Sequence, residues 1–229
     1  MSSKKALIVV TSHDRLGDTG KQTGYYLPEV THPYYALIDA GFDVDLASPR
    51  GGAAPMDPSS GDRKDPANAR FLDTPADRDK TSRTTRLADV AGSAYDAILF
   101  AGGHGTMWDF REDRDVQRLA AAIHEKGGVV AAVCHGPAAL VDVRLSSGEF
   151  LVAGKRVTGF SNDEEEAAEL TNVVPFLLET LLVEHGGRYE KAAGLWKEHV
   201  VTDGRLVTGQ NPASAAGVGR EVARLLAGG

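Results

Sequence analysis

The sequence predicts an α/β fold, a three-layer sandwich in which helices cover both faces of a mostly parallel central sheet. Three observations carry this. Short β-branched or aliphatic runs alternate with helical patterns along the 229 residues, as in chains built from strand–helix–strand units. Two of these runs, AILFA (97–101) and VVAAV (129–133), are continuously apolar, as strands buried on both faces are. Both run directly into glycine-containing turns.

In chain order, residues 6–10 (ALIVV) read as the first buried strand. A polar, glycine-containing loop follows, then a helix over about 33–40 that stops at Gly41. Residues 42–47 (FDVDLA) alternate apolar and polar, which is the half-buried strand pattern. Residues 49–85 are rich in Gly, Pro, Asp and Arg and lack periodicity, so they are expected to be a surface insertion, a solvated loop rather than a cover over the site. After the strand at 97–101, a helix over 115–126 ends at Gly127-Gly128, as a C-cap does. Beyond the strand at 129–133, a short strand is expected over 156–160 and a helix over 172–185, started or interrupted at Pro175. Runs at 199–202 and 205–208 flank Asp203-Gly204, a two-residue hairpin signal. A helix over 212–226 closes a chain read as one domain, 1–229.

Composition excludes more than it names. A net charge of −7 argues against nonspecific binding to nucleic acid or anionic lipid, which needs a basic face. No apolar run approaches the roughly 20 residues that span a bilayer, and the apolar stretch after the basic start Met1–Lys5 is too short for a signal-peptide core. A lone cysteine forms no internal disulfide, which fits a reducing compartment. The cytoplasm is therefore the expected location.

That cysteine lies in the most informative stretch, VVAAVCHGPAA (129–139). A buried strand ends, Cys134 follows, and Gly136-Pro137 is expected to open a helix. Ala132 and Gly136, two positions either side, complete the small-x-nucleophile-x-small spacing of a nucleophile elbow with sulfur in place of oxygen. Small residues are required there because the turn is so tight. The elbow would present Cys134 at the carboxyl end of the sheet, where open α/β sheets bind ligands. It would also set the thiol at a helix N-terminus, whose dipole favours a thiolate, with the His135 amide aimed at a developing oxyanion. A buried structural cysteine is the competing reading, but it leaves the glycine, histidine and proline around it without a reason. The AGGHG turn (101–105) ends a second strand at the same sheet edge. Its glycines allow close backbone approach, making Gly103 the candidate second oxyanion donor.

A cysteine nucleophile uses an imidazole and an orienting carboxylate. Of the seven histidines, His135 adjoins the nucleophile. His185 reads as a helix C-cap, His124 as a helix-surface residue, His32 as structural and His199 as a strand start, while His13 and His104 are placed to touch substrate. Glu29 lies between the first strand and its helix and reads equally as a site acid or as a charge complementing the helix dipole. Glu164, Glu165 and Glu166 follow the strand at 156–160, and physics alone does not choose among them. A zinc site built from His13, His32, His104 and Glu29 is the weaker alternative, because the spacings usual at zinc sites are missing; no metal or organic cofactor is expected.

The motifs AVCHGPAAL, AGGHGTMWD, GYYLPEVTHPY and VTDGRLVTGQNPAS resemble the DJ-1/PfpI superfamily, and within it the heat-shock chaperone and glyoxalase III class. The resemblance runs in order over nearly the whole chain. It implies a flavodoxin-like fold, a homodimer and a small 2-oxoaldehyde substrate. It also implies Cys134 as nucleophile, His135 as its partner and Glu29 as the acid bonded to the cysteine. The triad carboxylate five residues beyond Phe160 would be Glu165. The implied reaction is glutathione-independent conversion of methylglyoxal and water to D-lactate (a D-lactate dehydratase) through a Cys134 hemithioacetal. Protein deglycation, a stress-inducible holding chaperone and a redox sensor are the alternatives. Amide hydrolysis is more distant: the glutamine-amidotransferase pattern has a downstream histidine two residues before a glutamate, which neither His185 nor His199 provides, and peptidase activity of the PfpI type tends to need a particular oligomeric arrangement.

Overall fold

The apolar runs of the sequence line up as one seven-stranded sheet in the computed structural model, which describes residues 4–228; Met1, Ser2 and Ser3, part of the basic start of the sequence, lie outside the described residues. The strands and main helices, in chain order, are β1 (Lys5–Val9), α1 (Leu27–Asp39), β2 (Asp43–Ser48), α2 (Pro66–Asp73), α3 (Pro75–Ser82), β3 (Thr85–Arg86), β4 (Ala97–Phe100), α4 (Thr106–Asp109), α5 (Arg114–Glu125), β5 (Val129–Val133), β6 (Arg156–Val157), α6 (Asn162–Ala167), α7 (Leu178–Glu184), β7 (Arg188–Tyr189), β8 (Val200–Asp203), β9 (Leu206–Gly209) and α8 (Ala215–Ala227). Their order across the sheet is β3-β2-β1-β4-β5-β9-β8. Every pairing is parallel except β8 with β9. This is the mostly parallel sheet that the alternating runs predict, in the flavodoxin-like sandwich that the resemblance implies.

Burial explains the arrangement. β1, β4 and β5 are buried almost throughout, which demands cover on both faces. α8 packs against α1 and on β5 and β9, while α5 packs on β4 and β5. Gly219 lets α8 approach α1, since a Cβ there would lie 2.6 Å from Pro33 Cα. The chain reverses direction across the sheet between β1 and β4. In such sheets the crevice at the carboxyl ends of those strands is the natural ligand site.

Several elements differ from their sequence reading. The first helix begins at Leu27, not near residue 33, so Glu29 lies in its first turn and Pro33 inside it. Pro33 removes one helical hydrogen bond. Burial of Leu27, Val30, Tyr34 and Leu37 along one face offsets that loss. Residues 49–85 are not a plain loop. Asp65 caps α2 through the N–H groups of Ala67 and Asn68, and Phe71 is fully buried, edge-on to Tyr34. Within 172–185 only α7 is helical, and the strand at 156–160 shortens to β6, which pairs with β7 in a separate two-stranded ladder. β8 extends through Asp203, so the hairpin loop is Gly204-Arg205, with Gly204 at φ +62°. No helix among the described residues is long and apolar enough to cross a membrane.

Candidate active site

Cys134 leaves β5 with φ +59°, a left-handed conformation that costs a non-glycine residue about 1–2 kcal/mol. Two hydrogen bonds hold it: Cys134 N–H donates to Gly209 O at 2.9 Å, and Phe160 N–H donates to Cys134 O at 2.8 Å. The small residue two positions on is dictated by sterics, because a Cβ on Gly136 would lie 2.1 Å from Phe100 O. The elbow read from the sequence is therefore present, but the helix expected after it is not. Residues Gly136–Ala139 make a single 3-10 turn, too short to supply the dipole invoked for a thiolate.

The electrostatics reflect that difference. Burial first, and the Glu29 carboxyl next, push the Cys134 thiol well above its usual range. Glu29 is itself fully buried; desolvation raises it to about 8, opposed in part by hydrogen bonds with Cys134 and the Gly102 amide. Gly102 N–H donates to Glu29 Oε2 at 2.8 Å. Glu29 Oε1 has no conventional partner among the described residues, so the sulfur is the group this carboxyl faces. Burial disfavours both anions, and the Glu29 carboxyl raises the thiol further. The resting pair is a thiol beside a carboxylic acid, not a dipole-stabilised thiolate.

His135 lies on the other side of the sulfur, with Nδ1 3.4 Å from Cys134 Sγ. Its Nε2 is 2.8 Å from Glu165 Oε2. Burial and the neighbouring His104 lower His135 to about 4, so the ring is neutral near pH 7. With Nε2–H donating to Glu165, Nδ1 presents a lone pair to the thiol. Burial alone would raise Glu165, but the His135 and His104 imidazoles together hold its carboxyl below the usual range.

The structure also separates the three consecutive acids. Glu164 closes the N-terminal capping box of α6 with Ser161, Glu166 is exposed, and Glu165 alone bonds the His135 ring. Its second oxygen meets His104 Nε2 at 2.9 Å, so one carboxylate anchors two imidazoles whose ring centroids are 4.0 Å apart.

The histidines considered for a zinc site do not converge. His13 stacks on Trp108, and His32 bonds Asp65. Among the described residues, His104, His135 and Glu165 do bring ligand atoms within 4.8 Å of one another. Those atoms already satisfy each other through the two histidine–glutamate contacts, an arrangement suited to orienting imidazoles. His124 is half-buried rather than on the surface, and His185 caps α7 as its sequence position predicts.

Cys134, His135, His104 and Gly103 line a cavity of about 360 Å³. Gly103 has φ +98°. Its N–H donates to no acceptor among the described residues, and the His135 N–H is directed at the Cys134 sulfur. The His135 amide thus faces the sulfur, and Gly103 lines the same cavity. The cavity is also lined by Tyr26, Asp57, Ser59, Phe160, Trp196 and Asn211. Sequence reading misses these. Asp57 and Ser59 lie in the segment expected to be a solvated loop, and Trp196 carries no local pattern.

The model of the DJ-1/PfpI family matches residues 22–225. The chain belongs to the DJ-1/PfpI family. Among its relatives, Glyoxalase 3 of Candida albicans is 32% identical over 95% of this chain and 96% of its own. The glutathione-independent glyoxalase HSP31 of Saccharomyces cerevisiae is 34% identical over 94% of each. The crystal structure of glyoxalase III from Candida albicans superposes with a TM-score of 0.89 at 30% identity, covering 97% of both chains. That of the Francisella tularensis Rapid Encystment Protein 24 kDa gives 0.94 at 43% identity, covering 97% of this chain and 99% of that one.

Proposed function

We propose that this member of the DJ-1/PfpI family is a glutathione-independent glyoxalase, converting methylglyoxal and water to D-lactate. The observation that carries this reading is the elbow cysteine on the cavity wall, with a neutral imidazole 3.4 Å from its sulfur and a carboxylate 2.8 Å beyond that imidazole. The glyoxalase activity named for full-length relatives supports the same choice.

His135 Nδ1 takes the thiol proton as sulfur adds to the aldehyde carbon, forming the C–S bond of a hemithioacetal. The Gly103 and His135 amides receive the negative oxygen. Glu165 keeps the Nε2–H tautomer and stabilises the imidazolium that forms. The His135 imidazolium gives its proton to the hemithioacetal oxygen, and the neutral ring then carries the aldehyde-carbon proton to the adjacent carbon through an enediol. Glu29, protonated below about 8, is the acid that exchanges a proton at the oxygens as the enediol forms and collapses. The product of that shift is a lactoyl thioester, with carbon oxidation states exchanged and no external oxidant. Water cleaves the C–S bond, releasing lactate and returning the proton to sulfur. General acid–base assistance of this kind contributes roughly 10²–10⁴-fold.

Purified protein without added thiol is expected to turn methylglyoxal into lactate, and Cys134→Ala is expected to abolish this. Equal turnover by the two proteins would refute the reading. We propose in addition that the protein is a cytoplasmic homodimer, which sedimentation velocity and fractionation would check. A deglycase would employ the same nucleophile on a protein-bound adduct. Comparing free methylglyoxal with a glycated peptide as substrate separates the two.

A further inference from the structure

Trp196 is a large apolar residue with 48% of its surface exposed, yet its backbone is in the left-handed region at φ +59°. For a bulky side chain this conformation costs about 1–3 kcal/mol and persists only where surrounding contacts enforce it. Those contacts come from the core. Trp196 N–H donates at 3.0 Å to Oε1 of Glu164, a fully buried carboxyl group. The same oxygen accepts from Asn211 Nδ2 at 2.8 Å, and that amide also donates to Lys197 O at 2.8 Å. The chain is thus pinned on both sides of the indole. The indole lines the cavity beside Phe160, their ring centroids 5.6 Å apart, and the Phe160 ring in turn lies 4.2 Å from that of His135.

The cavity is larger than the simplest substrate needs. Its 360 Å³ equals the liquid volume of about twelve waters, against roughly five for a five-heavy-atom aldehyde counted at one water per atom. Asp57 and Ser59 add polar groups to the lining, while Phe160 and Trp196 make an aromatic patch that runs on from the His135 ring.

We propose that Trp196 and Phe160 form a preorganised aromatic shelf that selects 2-oxoaldehydes bearing a bulky apolar or aromatic substituent over the three-carbon aldehyde. This rests on the glyoxalase reading of Cys134. The aldehyde carbon sits at sulfur and the substituent lies along the shelf, covering the exposed indole. Trp196 acts in binding and takes no part in proton transfer.

The test compares phenylglyoxal with methylglyoxal in the wild type, Trp196→Ala and Trp196→Phe, following mandelate and lactate. The wild-type kcat/KM is expected to favour phenylglyoxal by about tenfold, the scale of one good apolar pocket contact. Trp196→Ala should lower the ratio of the two kcat/KM values by about tenfold, chiefly through KM for phenylglyoxal, and Trp196→Phe should retain most of it. A ratio that Trp196→Ala moves by less than about twofold, with methylglyoxal still consumed, overturns the shelf and leaves the reaction standing. If the wild type consumes neither aldehyde, the glyoxalase reading fails and the shelf fails with it.

Discussion

Replacing Glu29 by glutamine isolates the buried acid on which the site's electrostatics depend. Burial raises Glu29 from the usual 4.5 to about 8 in the folded protein, while in the unfolded chain it titrates normally. Between those values the native state holds one proton more than the unfolded state, so this group makes unfolding easier as pH rises. Its favourable contribution is complete below 4.5 and is lost as pH climbs through about 8. Each pH unit inside the window is worth about 1.4 kcal/mol. The stability of Glu29→Gln minus that of the wild type should therefore grow by about 2–3 kcal/mol between pH 5 and pH 7. For a protein of this size that is roughly 5–10 °C in Tm. Working with the difference removes the opposite contribution of His135. Its pKa is lowered to about 4, so it gains stability as pH rises from 4 to 6.5 in both proteins. Urea unfolding at several pH values, with the two curves subtracted, reads the effect. Parallel curves would refute the reasoning, because they would mean that the folded carboxyl ionises as freely as an exposed one.

The same two groups bound the activity. The proposed reaction uses neutral His135 and protonated Glu29, so kcat/KM should fall below about pH 4 and above about pH 8. A stopped-assay pH profile checks both limbs, and Glu29→Gln should remove the alkaline one while lowering the plateau. Glu165→Gln offers one acceptor where two imidazoles need two. It should lower kcat by about 10²–10⁴-fold with little change in KM, as when a triad carboxylate no longer fixes the imidazole tautomer. Gly136→Ala drives a Cβ to 2.1 Å from Phe100 O, so the folded state should lose about 3 kcal/mol or more, read by thermal melting.

The sheet was legible because its strands are near-continuous apolar runs, and a five-residue run such as VVAAV has few alternatives to a buried parallel strand. The elbow was legible because Cys134 and Gly136 answer a steric demand that reaches only two residues along the chain. The extent of α1 was not. Pro33 reads locally as a helix start, whereas the face that carries the helix back to Leu27 is buried by distant parts of the chain. α2 and α3 were hidden for a similar reason. Asp65-Pro66 and Thr74-Pro75 are start signals, but their helices bury only a few residues each and show no long apolar stripe. Glu165 stands out from its neighbours in sequence only through the resemblance, since choosing among three consecutive acids depends on the turn of α6. The thiol's ionisation is not legible from a dipole argument, because one 3-10 turn looks like the opening of a helix in sequence.

The central claim is a carbon–sulfur bond at Cys134. Wild-type protein mixed with excess methylglyoxal and acid-quenched within a turnover should carry one added aldehyde-derived group, and peptide mapping should place it at Cys134. Cys134→Ala should carry none and make no lactate. Lactate formed at the wild-type rate by the alanine protein, with residue 134 unmodified throughout, would contradict the account.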